Sequence, residues 1–170
     1  MTEENAALEA LRQAINLEQR GYKFYLEAAG RTSDSRGQEM FRSLADDEAK
    51  HLHAVQRQSE SLSQGKGWVE VAKAPEKIMD IGKPIIPPDK KTLEKRIRAD
   101  ASDIDALHFA LEFENDAYNL YRKAAKETTD PAGKAMYEWL TQQELDHFNL
   151  LMLNYDYLAT SGHWLGLQDQ

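Results

Sequence analysis

Apolar residues recur along four segments of the chain at alternating steps of three and four positions. This spacing is typical of a helix face that packs against other helices. The first and third segments each carry one glutamate in the middle of the stripe. Their stripe residues are Leu8, Leu11, Ile15, Glu18, Tyr22 and Tyr25, and then Ile104, Leu107, Leu111, Glu114, Tyr118 and Tyr121.

The second and fourth segments carry a glutamate and a histidine three positions apart within the stripe. Their stripe residues are Phe41, Leu44, Glu48, His51 and Val55, and then Tyr137, Leu140, Glu144, His147 and Leu151. Side chains three apart project from the same side of a helix. The pattern therefore predicts four core-facing helices whose buried stripes contain six ionisable residues.

Turn and capping residues set the bounds of these helices. Gly30 and Gly65 are suited to the left-handed turn that ends a helix, and Asp34 and Asp130 can cap the next one. We predict helices over about 3–29, 34–63, 102–127 and 131–158, and a C-terminal tail over 159–170. The two turns are short, so the helices form antiparallel hairpins over 3–63 and 102–158.

The connection between the hairpins, residues 66–101, contains four of the five prolines. We predict a long crossover there, with an extended piece at Trp68 to Val71 and a short helix over 90–98, rather than a second domain. The whole chain, residues 1–170, is then one all-α domain. Its architecture is a four-helix bundle of two hairpins joined by one long crossover.

The two hairpins resemble each other in sequence. Shifting the chain by 96 positions aligns Ala14 to His51 with Ala110 to His147 without a gap, and 13 of 38 positions are identical. The stripe glutamates, the histidines and the paired tyrosines are all among the identities. A repeat of this kind predicts two equivalent half-sites.

Four glutamates in one bundle core require a counter-charge, because a buried carboxylate costs several kcal/mol unless it is paired or binds a metal. No lysine or arginine occupies the stripes. Two divalent cations would balance the four carboxylates. Each Glu-x-x-His motif would chelate one metal, and Glu18 and Glu114 would complete or bridge the sites. The predicted ligands are Glu18, Glu48, His51, Glu114, Glu144 and His147.

The chain has no cysteine, so any metal must bind through oxygen and imidazole. Carboxylate-rich ligation with one imidazole per metal favours two iron ions, with manganese as the alternative and zinc as a substitute. Phenol groups that follow each stripe glutamate by four and seven positions could hydrogen-bond the ligating carboxylates from behind. These predicted supporting residues are Tyr22, Tyr25, Tyr118 and Tyr121.

Other ionisable residues near the motifs fall off the stripes. Asp47 and Asp146 are adjacent to ligands in sequence but point elsewhere on the helix, so we predict that both are solvated. We also expect three histidines to be surface or interface residues. They are His53, His108 and His163.

Charge and hydropathy exclude several classes of function. The chain has 21 Lys and Arg against 29 Asp and Glu, a formal charge of -8, which argues against nucleic acid as a partner. No apolar stretch approaches the roughly 20 residues that span a bilayer. The first residues are acidic where a secretory signal needs a positive start and an apolar run. We therefore expect a cytoplasmic protein with no membrane partner.

The motifs resemble those of the rubrerythrin branch of the ferritin-like superfamily. They are Glu18-x3-Tyr22-x2-Tyr25 and Glu48-x2-His51, with their copies at Glu114 to Tyr121 and Glu144-x2-His147. The resemblance implies a ferritin-like bundle with a non-haem di-iron centre that reacts with hydrogen peroxide or dioxygen. It also implies a homodimer, in which hairpins can be exchanged between chains.

Three departures from the family pattern change what the resemblance implies. A chain without cysteine cannot include the rubredoxin domain of many rubrerythrins, so an external electron donor, such as a rubredoxin-like protein, is needed. Ala117 stands where rubrerythrins of the well-known type carry an additional glutamate, which makes the ligand set more like that of bacterioferritin. Ala49 stands where bacterioferritin has its haem-ligating methionine, so no haem is expected.

Three functions are compatible with such a site. The leading hypothesis is a di-iron oxidoreductase of rubrerythrin type that reduces hydrogen peroxide or dioxygen with electrons from an external donor. The alternative is a ferroxidase that stores or handles iron. A second alternative is a non-enzymatic bundle in which the metals are structural or sensory.

Overall fold

The computed structural model describes residues 3–71 and 102–167, and these residues fold into four α-helices. The helices are α1 (Glu3–Arg31), α2 (Ser35–Ser63), α3 (Ser102–Glu127) and α4 (Pro131–Ser161). Helix α1 packs against α2 and α3 packs against α4, so each hairpin is a closely packed pair, and α1 also contacts α3. The predicted all-α four-helix bundle is confirmed.

One aspartate caps the start of the second helix in each hairpin, as the sequence predicts. The Asp34 side chain accepts a hydrogen bond from the Arg36 backbone N–H at 2.9 Å, and Asp130 accepts one from Ala132 at 2.8 Å. Pro131 occupies the first helical position, where its missing N–H leaves no bond unmade. These local caps explain why the starts of α2 and α4 agree with prediction to within one residue.

Helix α1 ends two residues later than predicted, and α4 ends three residues later. Helix α1 continues through Gly30 to Arg31, and Gly30 is not among the glycines with positive φ. Helix α4 continues to Ser161 and ends at Gly162, which has φ +72° and takes the left-handed conformation. A glycine near the end of a helical pattern marks a stop only where the chain needs positive φ.

The chain after α2 is held against that helix by an amide side chain. The Gln58 amide donates to the Val69 carbonyl at 2.5 Å and accepts from the Val69 N–H at 2.8 Å. These bonds hold the segment from Trp68 to Val71 beside α2, and the structure shows neither helix nor strand in it. The remainder of the predicted crossover, including the short helix over 90–98, lies outside the described residues.

Two tryptophans 96 positions apart pack at opposite ends of the bundle, which extends the repeat beyond the aligned motifs. Trp68, after α2, contacts the Tyr137 ring at 5.8 Å between centroids. Trp164, after α4, contacts the Phe41 ring at 5.6 Å. Phe41 and Tyr137 are themselves repeat partners, so each hairpin is closed by a segment that follows the other.

Glycine permits both of these tryptophan contacts. A Cβ atom at Gly37 would lie 2.7 Å from Trp164 Cε2, and one at Gly133 would lie 2.7 Å from Trp68 Cε2. Any larger residue would displace the indole ring. The identity of Gly37 and Gly133 in the repeat therefore reflects packing inside a helix rather than a turn.

Two apolar clusters fill the bundle, one on each side of a polar layer. One cluster includes Tyr25, Leu44, Leu111 and Leu151, and the other includes Leu11, Val55, Tyr121 and Leu140. On every helix the stripe glutamate lies between the residues of the two clusters. Within the described part of the chain, no helix has a stretch long and apolar enough to cross a lipid bilayer.

Replacing Trp164 with alanine should lower the free energy of unfolding by about 3 to 5 kcal/mol. The side chain is 2% exposed, and its indole N–H also donates to Asp103 at 3.1 Å. Trp68→Ala is the matched control at the repeat position, and it should cost less because Trp68 is half-buried. Urea unfolding of both variants tests this expectation, and equal losses would contradict it.

Candidate metal centre

The six predicted ligands meet in the polar layer at the middle of the bundle. Each helix contributes its stripe glutamate, and α2 and α4 each add the histidine one turn further on. All six side chains are at most 1% exposed: Glu18, Glu48, His51, Glu114, Glu144 and His147. A single chain brings them together, so the site needs no exchange of hairpins.

The histidines direct Nδ1 at the carboxylates. His51 Nδ1 lies 3.2 Å from Glu144 Oε1 and 3.6 Å from Glu18 Oε2. His147 Nδ1 lies 3.4 Å from Glu144 Oε2 and 3.5 Å from Glu114 Oε1, and 3.2 Å from Glu48 Oε1. The Glu144 carboxylate therefore has one oxygen facing each imidazole.

This arrangement refines the predicted division of the ligands. Glu18 lies beside His51 and Glu114 lies beside His147, so each of these glutamates completes one half of the site. Glu144 lies between the halves and is placed to bridge them. The two imidazole rings stack at 5.3 Å between centroids, at an angle of 24°.

The donor set and its spacing fit metal ions. One ligand atom each from Glu48, His51, Glu144 and His147 can be chosen so that all four lie within 4.8 Å of one another. Each of the six side chains also has at least one buried polar atom with no hydrogen bond, including both oxygens of Glu144. Buried polar atoms are rarely left unpaired, so this concentration indicates ligand positions.

Protons supply the positive charge of the site in the metal-free protein. Burial raises the pKa of Glu114 to about 8, and the charge of Glu144 adds to the rise. Burial also raises the pKa of Glu48 well above its usual value, with Glu18 as the next cause. At neutral pH Glu114 is therefore held mainly in the uncharged form, and at Glu48 the uncharged form is favoured.

The pKa values of the two histidines shift in the direction opposite to the one that burial alone would cause. Burial would lower the pKa of His51, but the Glu144 and Glu18 carboxylates raise it to about 10. The pKa of His147 is raised as well, chiefly by Glu114, against the effect of burial. Although burial acts to raise it, the pKa of Glu144 is lowered by the neighbouring His51 and His147.

Two tyrosines support the carboxylates across the bundle. Tyr25 on α1 donates its hydroxyl to Glu114 on α3, and Tyr121 on α3 donates to Glu18 on α1. Each phenol therefore bonds the glutamate of the other hairpin rather than the one that precedes it in sequence. Burial, followed by the charge of the accepting glutamate, raises the pKa of both phenols, which keeps them protonated donors.

The other two predicted tyrosines lie one turn away from these contacts. Tyr22 is half-buried and packs against the apolar cluster around Tyr25. The Arg122 guanidinium lies over the Tyr118 ring, 5.4 Å from its centroid. Among the described residues, Tyr25 and Tyr121 therefore hydrogen-bond the glutamates, and Tyr22 and Tyr118 do not.

The prediction that Asp47 is solvated is wrong. Its side chain is 13% exposed, with Oδ2 3.6 Å from His147 Nε2 and Oδ1 2.6 Å from Lys50 Nζ. Burial would raise the pKa of Asp47, yet His147 and Lys50 lower it to about 2. The contact joins α2 to α4, so the helical pattern of α2 alone does not show it.

Trp139 is a second neighbour of the site that the stripe pattern missed. Its ring meets His51 edge to face at 5.4 Å between centroids and 87°. Asp146, the other predicted solvated residue, is half-buried and accepts from the Gln142 amide at 2.9 Å. As expected, His53 and His163 are exposed, whereas His108 is half-buried beside Glu112.

Comparison with known families agrees with this architecture. The rubrerythrin family model matches residues 9–155, which include all six predicted ligands. The chain belongs to the rubrerythrin family. No curated protein and no solved structure gives a significant match.

One residue differs from the pattern of rubrerythrins that carry an additional glutamate. Ala117 is 1% exposed and packs in the apolar cluster around Tyr121 and Leu140. The place expected for an additional carboxylate is therefore part of the core. Its repeat counterpart, Gly21, is also tightly enclosed, because a Cβ there would lie 2.7 Å from Phe113 Cε1.

Metal binding at pH 7 should release at least about two protons per chain, since ligating groups must lose their protons. The groups concerned have raised pKa values: Glu48, His51, Glu114 and His147. Apparent affinity should therefore rise with pH between about 6 and 8. Calorimetry of Co²⁺ binding in buffers of different ionisation enthalpy counts the protons.

The control for this measurement is His53→Gln, which removes an exposed histidine from the same helix as His51. It should leave the number of released protons unchanged. Binding of Co²⁺ to the wild-type protein with no release of protons would show that the site is not neutralised by protonation.

Proposed function

We propose that this protein is a di-iron oxidoreductase that reduces hydrogen peroxide with electrons from an external donor. The observation that carries the proposal is the pair of carboxylate and imidazole half-sites that share Glu144. Four of the six predicted ligands, Glu48, His51, Glu144 and His147, can bring one ligand atom each within 4.8 Å of one another. Family membership supports iron as the metal. Manganese is the alternative that the same donor set would accept.

The six predicted ligands would hold the metal pair and balance its charge. Glu18 with His51 and Glu114 with His147 form the two ends of the site, and Glu144 lies between them. The hydroxyls of Tyr25 and Tyr121 fix the orientation of Glu114 and Glu18. Such outer hydrogen bonds hold ligands in position for binding.

The two apolar clusters separate this layer from solvent along the bundle axis. Leu44 and Leu111 lie on one side, and Val55 and Leu140 lie on the other, all at most 1% exposed. Exclusion of water strengthens electrostatic interactions within a site and limits side reactions. The packing is therefore suited to a reaction of a small oxidant rather than a large substrate.

Two ferrous ions, when bound, supply the two electrons that reduce hydrogen peroxide to two waters. The reaction also consumes two protons, which come from solvent. Return to the reduced state needs two electrons from outside the chain, because it has no cysteine for an iron–sulfur or rubredoxin-type centre of its own. A rubredoxin-like protein is our proposed donor, and we propose a homodimer as the assembly.

The anaerobic protein loaded with two Fe²⁺ should be oxidised by hydrogen peroxide at least about tenfold faster than free Fe²⁺. Glu48→Ala should remove this acceleration, because it deletes a carboxylate at 3.2 Å from His147. Stopped-flow absorbance after mixing with peroxide measures both rates. A parallel reaction with dioxygen identifies the preferred oxidant.

The matched control is Glu39→Ala, the same substitution at an exposed position of α2. It should leave the oxidation rate unchanged. Oxidation of the loaded wild-type protein no faster than that of free Fe²⁺ would contradict the proposal. A rapid reaction with dioxygen but not with peroxide would favour a ferroxidase instead.

A further inference from the structure

The repeat allows the two halves of the site to be compared position by position. The ligands and the tyrosines that bond them are identical between the halves. Two positions that contact or neighbour the histidines are not. Asp47 corresponds to Gln143, and Ser43 corresponds to Trp139.

On the side of His147, the imidazole lies between carboxylates. Its Nδ1 faces the ligand glutamates, and its Nε2 faces Asp47 Oδ2 at 3.6 Å. The other oxygen of Asp47 bonds Lys50 at 2.6 Å, which orients the carboxylate towards the ring. At 3.6 Å this contact is an ion pair rather than a hydrogen bond. A carboxylate charge behind an imidazole favours a proton on the nitrogen that faces it and raises the basicity of the ring as a ligand.

On the side of His51, the repeat counterpart of Asp47 is a neutral residue. The residue in the place of Asp47 is the buried amide Gln143, 7% exposed. The ring of His51 meets the edge of the Trp139 indole at 5.4 Å, whereas the repeat counterpart of Trp139 is the small residue Ser43. The place of Lys50 is taken by Asp146, so the lysine–aspartate pair has no equivalent in this half.

We propose that the two metal positions are inequivalent, and that Asp47 makes the position at His147 the tighter one. Asp47 acts as a positioning residue, since it contacts the ligand and not the reacting atoms. The inference rests on the proposed function only in requiring that the six residues hold two metals. It predicts stepwise loading, with the position at His147 filled before the position at His51.

Calorimetric titration of the metal-free protein with Co²⁺, without oxidant or donor, tests the inference independently of activity. Wild type should bind two Co²⁺ in two steps of different affinity. Asp47→Asn should weaken the tighter step by about 10- to 100-fold and leave the weaker step unchanged. In Asp47→Asn, the absorption bands of the cobalt bound in the tighter step should differ from those of wild type. The bands of the cobalt bound in the weaker step should not.

Four further variants make the test specific. Asp46→Asn removes the same charge from the exposed neighbour and should change neither step. Gln143→Asp places a carboxylate at the repeat counterpart of Asp47 and should strengthen the weaker step. His147→Ala should lose the tighter step, and His51→Ala should lose the weaker step. Circular dichroism checks that both variants fold.

The outcomes separate this inference from the proposed function. Two bound Co²⁺ with Asp47→Asn weakening both steps equally, or neither, would overturn the inequivalence and leave the two-metal centre intact. Fewer than two Co²⁺ bound by wild type would overturn both. Loss of the weaker step in His147→Ala would reverse the proposed order of loading and so contradict the inference.

Discussion

Four carboxylates buried in one layer of a helical bundle impose the constraint on which the rest of the structure depends. Their mutual repulsion and lost hydration would unfold the core unless positive charge lies among them. Among the residues that the structure describes, the layer has no lysine or arginine, and its histidines direct Nδ1 at the glutamates. In the metal-free protein protons meet this requirement, and in our account two divalent cations replace them.

The remaining architecture holds that layer in place. Apolar clusters lie on both sides of it, and the tyrosines Tyr25 and Tyr121 tie each hairpin to the glutamate of the other. At the two ends of the bundle, Trp68 and Trp164 close on the opposite hairpin through matching glycines. The repeat therefore shapes the metal layer, its supports and the ends of the bundle together.

The sequence predicted those features that depend on local rules or on repetition. Asp34 and Asp130 cap helices through bonds to residues two positions away, so their effect is visible in the sequence. The two Glu-x-x-His motifs were recognisable because they occur twice at one spacing. Gly30 misled because a helix accepts glycine where no positive φ is required.

The features that escaped prediction depend on contacts between helices. Asp47 lies off the stripe of its own helix, and only the packing of α2 against α4 places it behind His147. The position of Glu144 between the two histidines follows from the same contact. The crossed pairing of the tyrosines follows instead from the approach of α1 to α3. Helical periodicity determines which face a residue occupies, but not which residue it meets on the next helix.

The central claim is that this buried layer holds two cations, and anomalous X-ray diffraction from crystals soaked anaerobically in Fe²⁺ tests it most directly. The account predicts two anomalous peaks per chain, one between Glu18 and His51 and one between Glu114 and His147, with Glu144 between them. A single peak, or iron bound elsewhere while the layer stays empty, would contradict it.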